Sequence, residues 1–364
     1  MEKVMSRKLI PISTIMTLMS TSVMADVPNV AADIAPIHSL VSKVMDGVGE
    51  PKLVIQSGAS PHGYRLRPSE AKALQDANLI FWMGEELTPW LEGAIDTLAS
   101  NASVTALLDQ EGIVLHDFRQ GALFEAHDHD DHDDHDGHDN HKDHDGHDDH
   151  DDHDGHDDHD DHKDHDDHDD HDDHDDHKDH DEHDDHKDHD DHGHGAHDPH
   201  AWLSPKNAKL WLNIIASKLS VADPENAASY FTNAAAGQAE IEDMVAEVSA
   251  TLKPVQGGKF VVFHDAYQYF ENDFDFYASG AISLSDASDP SPARIARIQK
   301  RIRDEGIQCV LAEPQFKKGL VATVMEGSEA TASVIDPLGA DIKPGPMLYT
   351  QLIKNMAKKI KDCL

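Results

Sequence analysis

A tract of histidine and aspartate constrains the fold of this 364-residue chain more than any other feature. Residues 127–198 contain 25 His, 35 Asp, one Glu and four Lys, and a histidine occupies every third position from His129 to His192. The tract has one apolar side chain, Ala196, so it cannot bury enough surface to offset the entropy lost on ordering. We therefore predict a disordered loop, inserted into a fold that the flanking residues form without it.

The charge of the tract favours cations as ligands. It carries −32 of the chain's formal charge of −41. Nucleic acid is excluded as a partner, because phosphate recognition requires clustered Lys and Arg. Imidazole and carboxylate both suit Zn²⁺, so we interpret the tract, with His129, His132, His135 and His192 among its members, as an auxiliary metal collector that releases metal at acidic pH. A solvated acidic loop without a metal role is the alternative.

The first residues predict export from the cytoplasm. Lys3, Arg7 and Lys8 precede an uncharged, largely apolar run, Leu9–Val23. This order is typical of a secretory signal, which we place at residues 1–25. A membrane anchor is the alternative, but about fifteen residues are too few to span a bilayer. We expect the mature protein to be soluble.

The chain has two cysteines, Cys309 and Cys363. In an exported protein an isolated pair is more often a disulfide than two free thiols. A zinc site that uses both cysteines is the alternative, although neither has a second ligand at a typical spacing. The main metal ligands are therefore expected to be histidines and carboxylates.

Outside the tract, strand-like and helix-like segments alternate, which predicts an α/β fold with mostly parallel sheets flanked by helices. The alternation runs from residue 29 to the tract and restarts at residue 259. Between the two series lies a long helical run that contains no proline after Pro224. We predict an N-terminal lobe over residues 26–223, a rigid linker helix over 224–253 and a C-terminal lobe over 254–364.

Three of the five histidines outside the tract follow predicted strands or lie at turns. His62 and His200 belong to the first lobe and His264 ends a strand of the second. Asp336 ends another strand of the second lobe. Ligands of open α/β sheets bind at the carboxyl ends of strands, so the sequence predicts a metal site from these four side chains. His38 and His116 are expected to be surface residues.

Several motifs close to these residues resemble a known family. The chain closely resembles the high-affinity zinc-uptake periplasmic binding proteins, which belong to the metal-receptor cluster of ABC-importer solute-binding proteins. The motifs that carry the resemblance are Ala59-Ser60-Pro61-His62, Arg67-Pro68-Ser69-Glu70, His200-Ala201-Trp202-Leu203-Ser204-Pro205, Val262-Phe263-His264-Asp265-Ala266-Tyr267, Ala312-Glu313-Pro314-Gln315-Phe316 and Asp336-Pro337-Leu338-Gly339.

The resemblance implies a periplasmic zinc receptor with two lobes joined by a rigid helix. It implies His62, His200 and His264 as ligands of Zn²⁺ in the cleft, with Asp336, a Glu or water as the fourth. Pro61 directly precedes the first ligand, where some relatives have a Glu, so that option is absent here. The resemblance further implies a pairing of the two cysteines, a His-rich loop and, as partners, an inner-membrane ABC permease with its cytoplasmic ATPase. We expect a monomer.

The donor set itself also favours zinc. Three imidazoles with one carboxylate or water suit Zn²⁺, whereas Mn²⁺ prefers more oxygen. Manganese-binding relatives place a Glu at the position of His264. Asp265, Glu313 and Arg294 are candidates for supporting the ligands or for pairing across the lobes, and purely structural roles are the alternative.

Two other functions remain open at this point. A secreted zinc hydrolase could use three histidines and an open water position, with Asp265 or Glu313 as its general base. A metal buffer could act mainly through the tract, with the fold only displaying it. We expect the importer receptor, and no enzymatic activity.

Overall fold

A computed structural model describes residues 27–119, 197–283, 290–314 and 318–364. The predicted signal at residues 1–25 and the tract histidines His129, His132, His135 and His192 lie outside the described residues. Within the described ranges, no helix has both the length and the apolar composition needed to cross a membrane.

The first half of the chain forms a sheet of four parallel strands in the order β2-β1-β3-β4. Its central strands are apolar and fully buried, as expected for a parallel sheet covered by helices on both faces. Proline occupies the first position of three of its helices, where its missing N–H costs no hydrogen bond. The elements are β1 (Val30–Ala32), α1 (Ala35–Val44), β2 (Lys52–Leu53), α2 (Pro68–Gln75), β3 (Leu79–Trp82), α3 (Pro89–Leu98), β4 (Ser103–Ala106) and α4 (Pro205–Ala222).

A single long helix, α5 (Ala227–Leu252), follows a turn that starts at Pro224. Its 26 residues give it a length of about 39 Å. One buried face of α5 packs against α1 and α4, and it also contacts the last helix of the chain. At Gly237 a Cβ atom would lie 3.0 Å from Cδ1 of Leu212, so the missing side chain allows α4 and α5 to pack closely.

The second half repeats the strand order of the first, as β6-β5-β7-β8, again with every pairing parallel. This confirms the predicted fold class. The elements are β5 (Phe260–His264), α6 (Gln268–Phe274), β6 (Ala281–Ser283), α7 (Pro292–Glu305), β7 (Cys309–Ala312), α8 (Lys318–Met325), β8 (Thr331–Val334) and α9 (Leu348–Cys363).

Hydrogen bonds between buried or half-buried groups connect the two halves. The indole N–H of Trp202 donates to the carbonyl oxygen of Pro337 at 2.8 Å, and the hydroxyl of Tyr349 donates to the carbonyl oxygen of Trp202 at 3.0 Å. The hydroxyl of Ser204 donates to Oδ2 of Asp273 at 2.7 Å. The described residues of both sheets form one compact unit.

The two cysteines form a disulfide. Cys309 at the start of β7 is bonded to Cys363 at the end of α9, with their Cα atoms 5.7 Å apart. The predicted disulfide is confirmed, and it fixes the terminal helix to the C-terminal sheet.

His38 is buried, so its prediction as a surface residue is wrong. It lies on α1, which packs against β1, β2, α4, α5 and α9 and is therefore enclosed on almost every side. Its Nε2 is 3.1 Å from the carbonyl oxygen of Pro51 and its Nδ1 is 3.4 Å from the hydroxyl of Ser42. Burial lowers the pKa of His38, which favours the neutral ring in a structural role.

Candidate metal centre

His62 lies in the loop between β2 and α2, and the residues on both sides of it are anchored. The indole N–H of Trp90 donates to the carbonyl oxygen of Pro61 at 2.7 Å. After His62, the buried carboxylate of Glu70 accepts the hydroxyl of Tyr64 at 2.8 Å and the backbone N–H of Arg67 at 2.7 Å. These bonds hold the loop that carries the half-buried imidazole of His62.

His200 is buried and is oriented by a neighbouring carboxylate. Its Nδ1 lies 2.6 Å from Oδ1 of Asp198, and the same oxygen accepts the backbone N–H of His200 at 3.0 Å. With a proton on Nδ1, the lone pair of Nε2 is available to a metal ion. Burial raises the pKa of Asp198 to about 6, although the backbone N–H of His200 and the charge of Arg119 oppose this.

His264 is the last residue of β5 and is also buried. Its Nδ1 lies 3.5 Å from Oε2 of Glu313, which follows the neighbouring strand β7. The other oxygen of Glu313 accepts the hydroxyl of Tyr267 at 2.7 Å. Adjacent parallel strands thus place the imidazole and its carboxylate neighbour side by side.

The three imidazoles converge. One ring nitrogen from each of His62, His200 and His264 lies within 4.8 Å of the other two. The ring centroids are 4.9 Å apart for His200 and His264, 5.6 Å for His62 and His200, and 6.1 Å for His62 and His264. A tetrahedral zinc ion, with Zn–N bonds of about 2.0–2.1 Å, holds its nitrogens about 3.3 Å apart, which small ring rotations can reach. In the described part of the chain this is the one such group of potential ligands.

Asp336 follows β8 as predicted, but its carboxylate lies outside this group. Its Oδ1 accepts the backbone N–H groups of Leu338 and Gly339 at 2.9 and 3.0 Å, and its Oδ2 accepts that of Ala340 at 2.5 Å. The carboxylate therefore stabilises its own turn, and its role as a ligand stays a prediction.

Asp265 is paired with Arg119, a residue that the sequence analysis did not select. The guanidinium lies between two buried carboxylates: its Nε donates to Oδ1 of Asp265 at 3.0 Å and its Nη1 donates to Oε2 of Glu271 at 2.6 Å. Burial lowers the pKa of Arg119, but the carboxylates outweigh this effect and raise it overall. Burial likewise raises the pKa of Asp265 and raises that of Glu271 to about 7, with Arg119 opposing both shifts.

Arg294 lies on α7 and contacts backbone rather than the imidazole group. Its Nε donates to the carbonyl oxygen of Ile282 at 2.6 Å and its Nη2 to that of Ala281 at 3.3 Å. These bonds fasten α7 to the end of β6.

Residues 116–117, which precede the tract, pair with residues 197–198 next to His200. His197 pairs with Asp117 in an antiparallel bridge, and the N–H of Asp198 donates to the carbonyl oxygen of His116 at 2.8 Å. The hydroxyl of Tyr269 accepts the N–H of His116 at 3.1 Å and donates to the carbonyl oxygen of Asp198 at 2.7 Å. We call residues 114–117 and 197–198 the stem. The predicted loop over residues 127–198 includes two residues of the stem, because composition alone does not separate them from the repeat, and the extent of the loop stays a prediction. His116 is half-buried against the ring of Tyr269, so its prediction as a surface residue is only partly correct.

Comparisons with known proteins agree with this architecture. The family model for the periplasmic component A of zinc-uptake complexes, ZnuA, matches residues 30–363. The high-affinity zinc uptake system protein ZnuA of Brucella abortus is 46% identical over 335 residues, which cover 92% of this chain and 91% of the relative. The protein of the same name from Paracoccus denitrificans is 43% identical over 341 residues, 93% of each chain.

Solved structures extend the similarity to the fold. A ZnuA crystal structure superposes with a TM-score of 0.65 at 20% identity and covers 93% of this chain and 99% of its own. A zinc-bound ZnuA deletion mutant superposes with a TM-score of 0.64 at 20% identity, over 93% of this chain and 98% of its own. The fold is thus that of ZnuA-type solute-binding proteins. The chain belongs to the family of the periplasmic component A of zinc-uptake complexes.

Proposed function

We propose that this protein is the periplasmic zinc receptor of an ABC importer. It captures Zn²⁺ as cargo through His62, His200 and His264 and delivers the ion to an inner-membrane permease that a cytoplasmic ATPase drives. The observation that carries the proposal is the convergence of three imidazole nitrogens within 4.8 Å between the two sheets. Membership of the zinc-uptake family supports the same cargo.

The chemistry of the group favours zinc over harder cations. Three nitrogen donors suit Zn²⁺, and the fourth position is filled by Asp336 or by water. The carboxylate of Asp198 orients the imidazole of His200 through a hydrogen bond, which lowers the cost of ordering this ligand before the ion arrives. The carboxylate of Glu313 lies 3.5 Å from Nδ1 of His264. Two ligands come from residues 26–223 and one from residues 254–364, the ranges that we propose as the two lobes, joined by the helix over 224–253.

We propose a receptor rather than a hydrolase because both candidate bases have other partners. Asp265 is bound by the guanidinium of Arg119, and Glu313 accepts the hydroxyl of Tyr267 and faces His264. A carboxylate held in this way is poorly placed to activate a metal-bound water. The tract serves, in this proposal, as a weaker collector that raises the local supply of zinc, and the protein acts as a monomer.

The proposal is tested by zinc titration of the full chain against a competing chelator. We expect one tight site in the wild type, which His62→Ala removes and the control His116→Ala, outside the imidazole group, retains. A growth test in zinc-poor medium then separates import from buffering. His62→Ala should fail to support growth even with the tract intact, whereas rescue by His62→Ala would favour the buffer. Tight binding that survives His62→Ala would contradict the ligand set.

A further inference from the structure

His62 is the most exposed of the three imidazoles. His200 and His264 are each 4% exposed, and a carboxylate oxygen lies within 3.5 Å of Nδ1 in both. His62 is half-buried and belongs to the loop between β2 and α2. Local opening costs least where the chain is exposed and lies outside the regular elements, so His62 is the ligand that should leave a bound ion first.

The chain directly before His62 is fixed by Pro61 and Trp90. Pro61 is buried, and its ring restricts the backbone torsion φ. Its carbonyl oxygen accepts the indole N–H of Trp90 at 2.7 Å, and Trp90 lies in the first turn of α3. This carbonyl belongs to the peptide group that joins Pro61 to His62, so the hydrogen bond acts on the backbone of the ligand itself.

The chain after His62 is fixed by Tyr64 and Glu70. The hydroxyl of Tyr64 donates to Oε1 of Glu70 at 2.8 Å, and Glu70 is 3% exposed in the first turn of α2. The ring of Tyr64 also lies beside that of Trp90, with the ring centroids 6.0 Å apart. The two neighbouring side chains therefore tie the loop to two different helices, one on each side of His62.

We propose that Trp90 and Tyr64 are positioning residues that set the lifetime of zinc at the site, because they limit how far His62 moves away from the ion. The proposal rests on the proposed function, since it concerns release from the same three imidazoles. Without either hydrogen bond, the loop gains more conformational freedom when His62 leaves the ion, and this entropy favours release. Capture can begin at the buried His200 and His264, so the association rate should change little.

The test measures the rate of zinc dissociation from the full chain. Protein loaded with less than one equivalent of Zn²⁺, which fills the tight site first, is mixed rapidly with an excess of a chelator whose absorbance changes on binding the metal. Trp90→Phe removes the indole N–H and Tyr64→Phe removes the hydroxyl, and each keeps an aromatic ring. We expect each variant to raise the dissociation rate about fivefold or more, as the loss of one hydrogen bond implies, and to keep the association rate within about twofold of the wild type.

Two matched variants remove the same kinds of hydrogen bond away from the loop that carries His62. Trp211→Phe removes an indole N–H that donates to the carbonyl oxygen of Leu107 at 3.0 Å. Tyr230→Phe removes a hydroxyl that donates to Oδ2 of Asp223 at 2.7 Å. Both controls should keep the dissociation rate within about twofold of the wild type, even where denaturant titration shows a lower free energy of unfolding.

The visible absorption of substoichiometric Co²⁺ reports the ligand set independently of the rates. It should be the same in the wild type, Trp90→Phe and Tyr64→Phe, because all three imidazoles still bind the ion at equilibrium. A changed spectrum would show that the ligand set itself differs, and it would overturn a role that is limited to the lifetime of the bound ion.

The results separate this proposal from the proposed function. A wild-type dissociation rate in Trp90→Phe or in Tyr64→Phe overturns the proposal, while a tight zinc site in the wild type leaves the receptor intact. If one of the two variants does not fold, the other decides. An equal rise in the two controls also overturns the proposal, because a general loss of stability would then explain it, and so does an effect on the association rate alone. A wild type without a tight zinc site would overturn both proposals together.

Discussion

The central strands of the two sheets, β1 and β5, hold the same place in the strand order, and an aspartate follows each of them. After β1, the carboxylate of Asp33 accepts the backbone N–H groups of Ile34 and Met83, each at 2.7 Å. After β5, the carboxylate of Asp265 is bound by Arg119 instead. One topological position therefore carries two different electrostatic environments.

The two sheets thus provide equivalent backbone positions, and the side chains or backbone groups that contact each aspartate decide its role. Asp33 is wholly buried, and it stabilises the connection between β1 and β3 by satisfying backbone donors. Asp265 stands beside a metal-ligand candidate, and its partner is a cation from another part of the chain. A repeated sheet thus carries a structural carboxylate at the end of β1 and, in the proposed function, a metal ligand at the end of β5. We call these two places the structural edge and the functional edge.

The largest effect is expected when the imidazole of His264 is removed from the functional edge. We expect His264→Ala to weaken zinc binding at the tight site on the order of 1,000-fold, because only two nitrogen donors remain. Competitive titration with a chelator measures the loss, and circular dichroism checks that the variant is folded. Retention of affinity within tenfold of the wild type would show that the C-terminal sheet does not supply a ligand.

At the structural edge, we expect the titration of Asp33 to change the free energy of unfolding. Burial raises the pKa of Asp33 from 3.8 to about 7, so the folded state holds this proton more tightly than the unfolded state. The contribution of Asp33 to stability is then fully present below pH 4 and declines as pH rises towards 7, by up to about 4 kcal/mol. The control Asp33→Asn cannot titrate. We expect the free energy of unfolding of the wild type to fall relative to Asp33→Asn over this range, in denaturant titrations of the metal-free protein. Parallel pH profiles of the two proteins would contradict the assignment.

A smaller effect is expected from the carboxylate behind His200. Asp198→Asn keeps the shape of the side chain but removes the charge that orients the imidazole through Nδ1. Loss of such a partner typically lowers metal affinity by about 10- to 100-fold. Zinc titration of Asp198→Asn beside Asp117→Asn, which alters the exposed partner of His197 in the stem, should show the loss only in the first.

The smallest effect should follow removal of the tract itself. Deleting residues 127–196 leaves the stem and Asp198 in place, so we expect the affinity of the tight site to stay within about threefold of the wild type. Extending the deletion to residue 198 removes the partner of His200 and should reproduce the loss seen in Asp198→Asn. Chelator competition on both deletions distinguishes them, and equal affinities would argue against the role of Asp198.

The sequence predicted those features that depend on local pattern. Alternating strand-like and helix-like segments predicted the parallel sheets. The position of His264 at a strand end and of His62 and His200 at turns predicted the group that the structure brings together. The sequence did not predict a role for Arg119, because its partner Asp265 lies 146 positions away in the chain. A single arginine beside an acidic tract also forms no periodic pattern. Asp198 was hidden by the composition of the repeat, although Asp-Pro-His places a carboxylate two residues before a ligand candidate. His38 was misjudged because α1 is enclosed on nearly every face, and one helix's pattern does not reveal how many neighbours it has.

The stem has a consequence for how the gene can vary. Asp117 and His197 pair directly, and Arg119 is the last residue that the structure describes before the tract. In general, doubling the length of a loop adds only about 0.6 kcal/mol to the cost of closing it. We therefore expect that triplets of the repeat can be gained or lost without a change in the zinc affinity of the imidazole group. If the tract collects zinc as proposed, the number of histidine triplets sets its capacity independently of the affinity of the tight site.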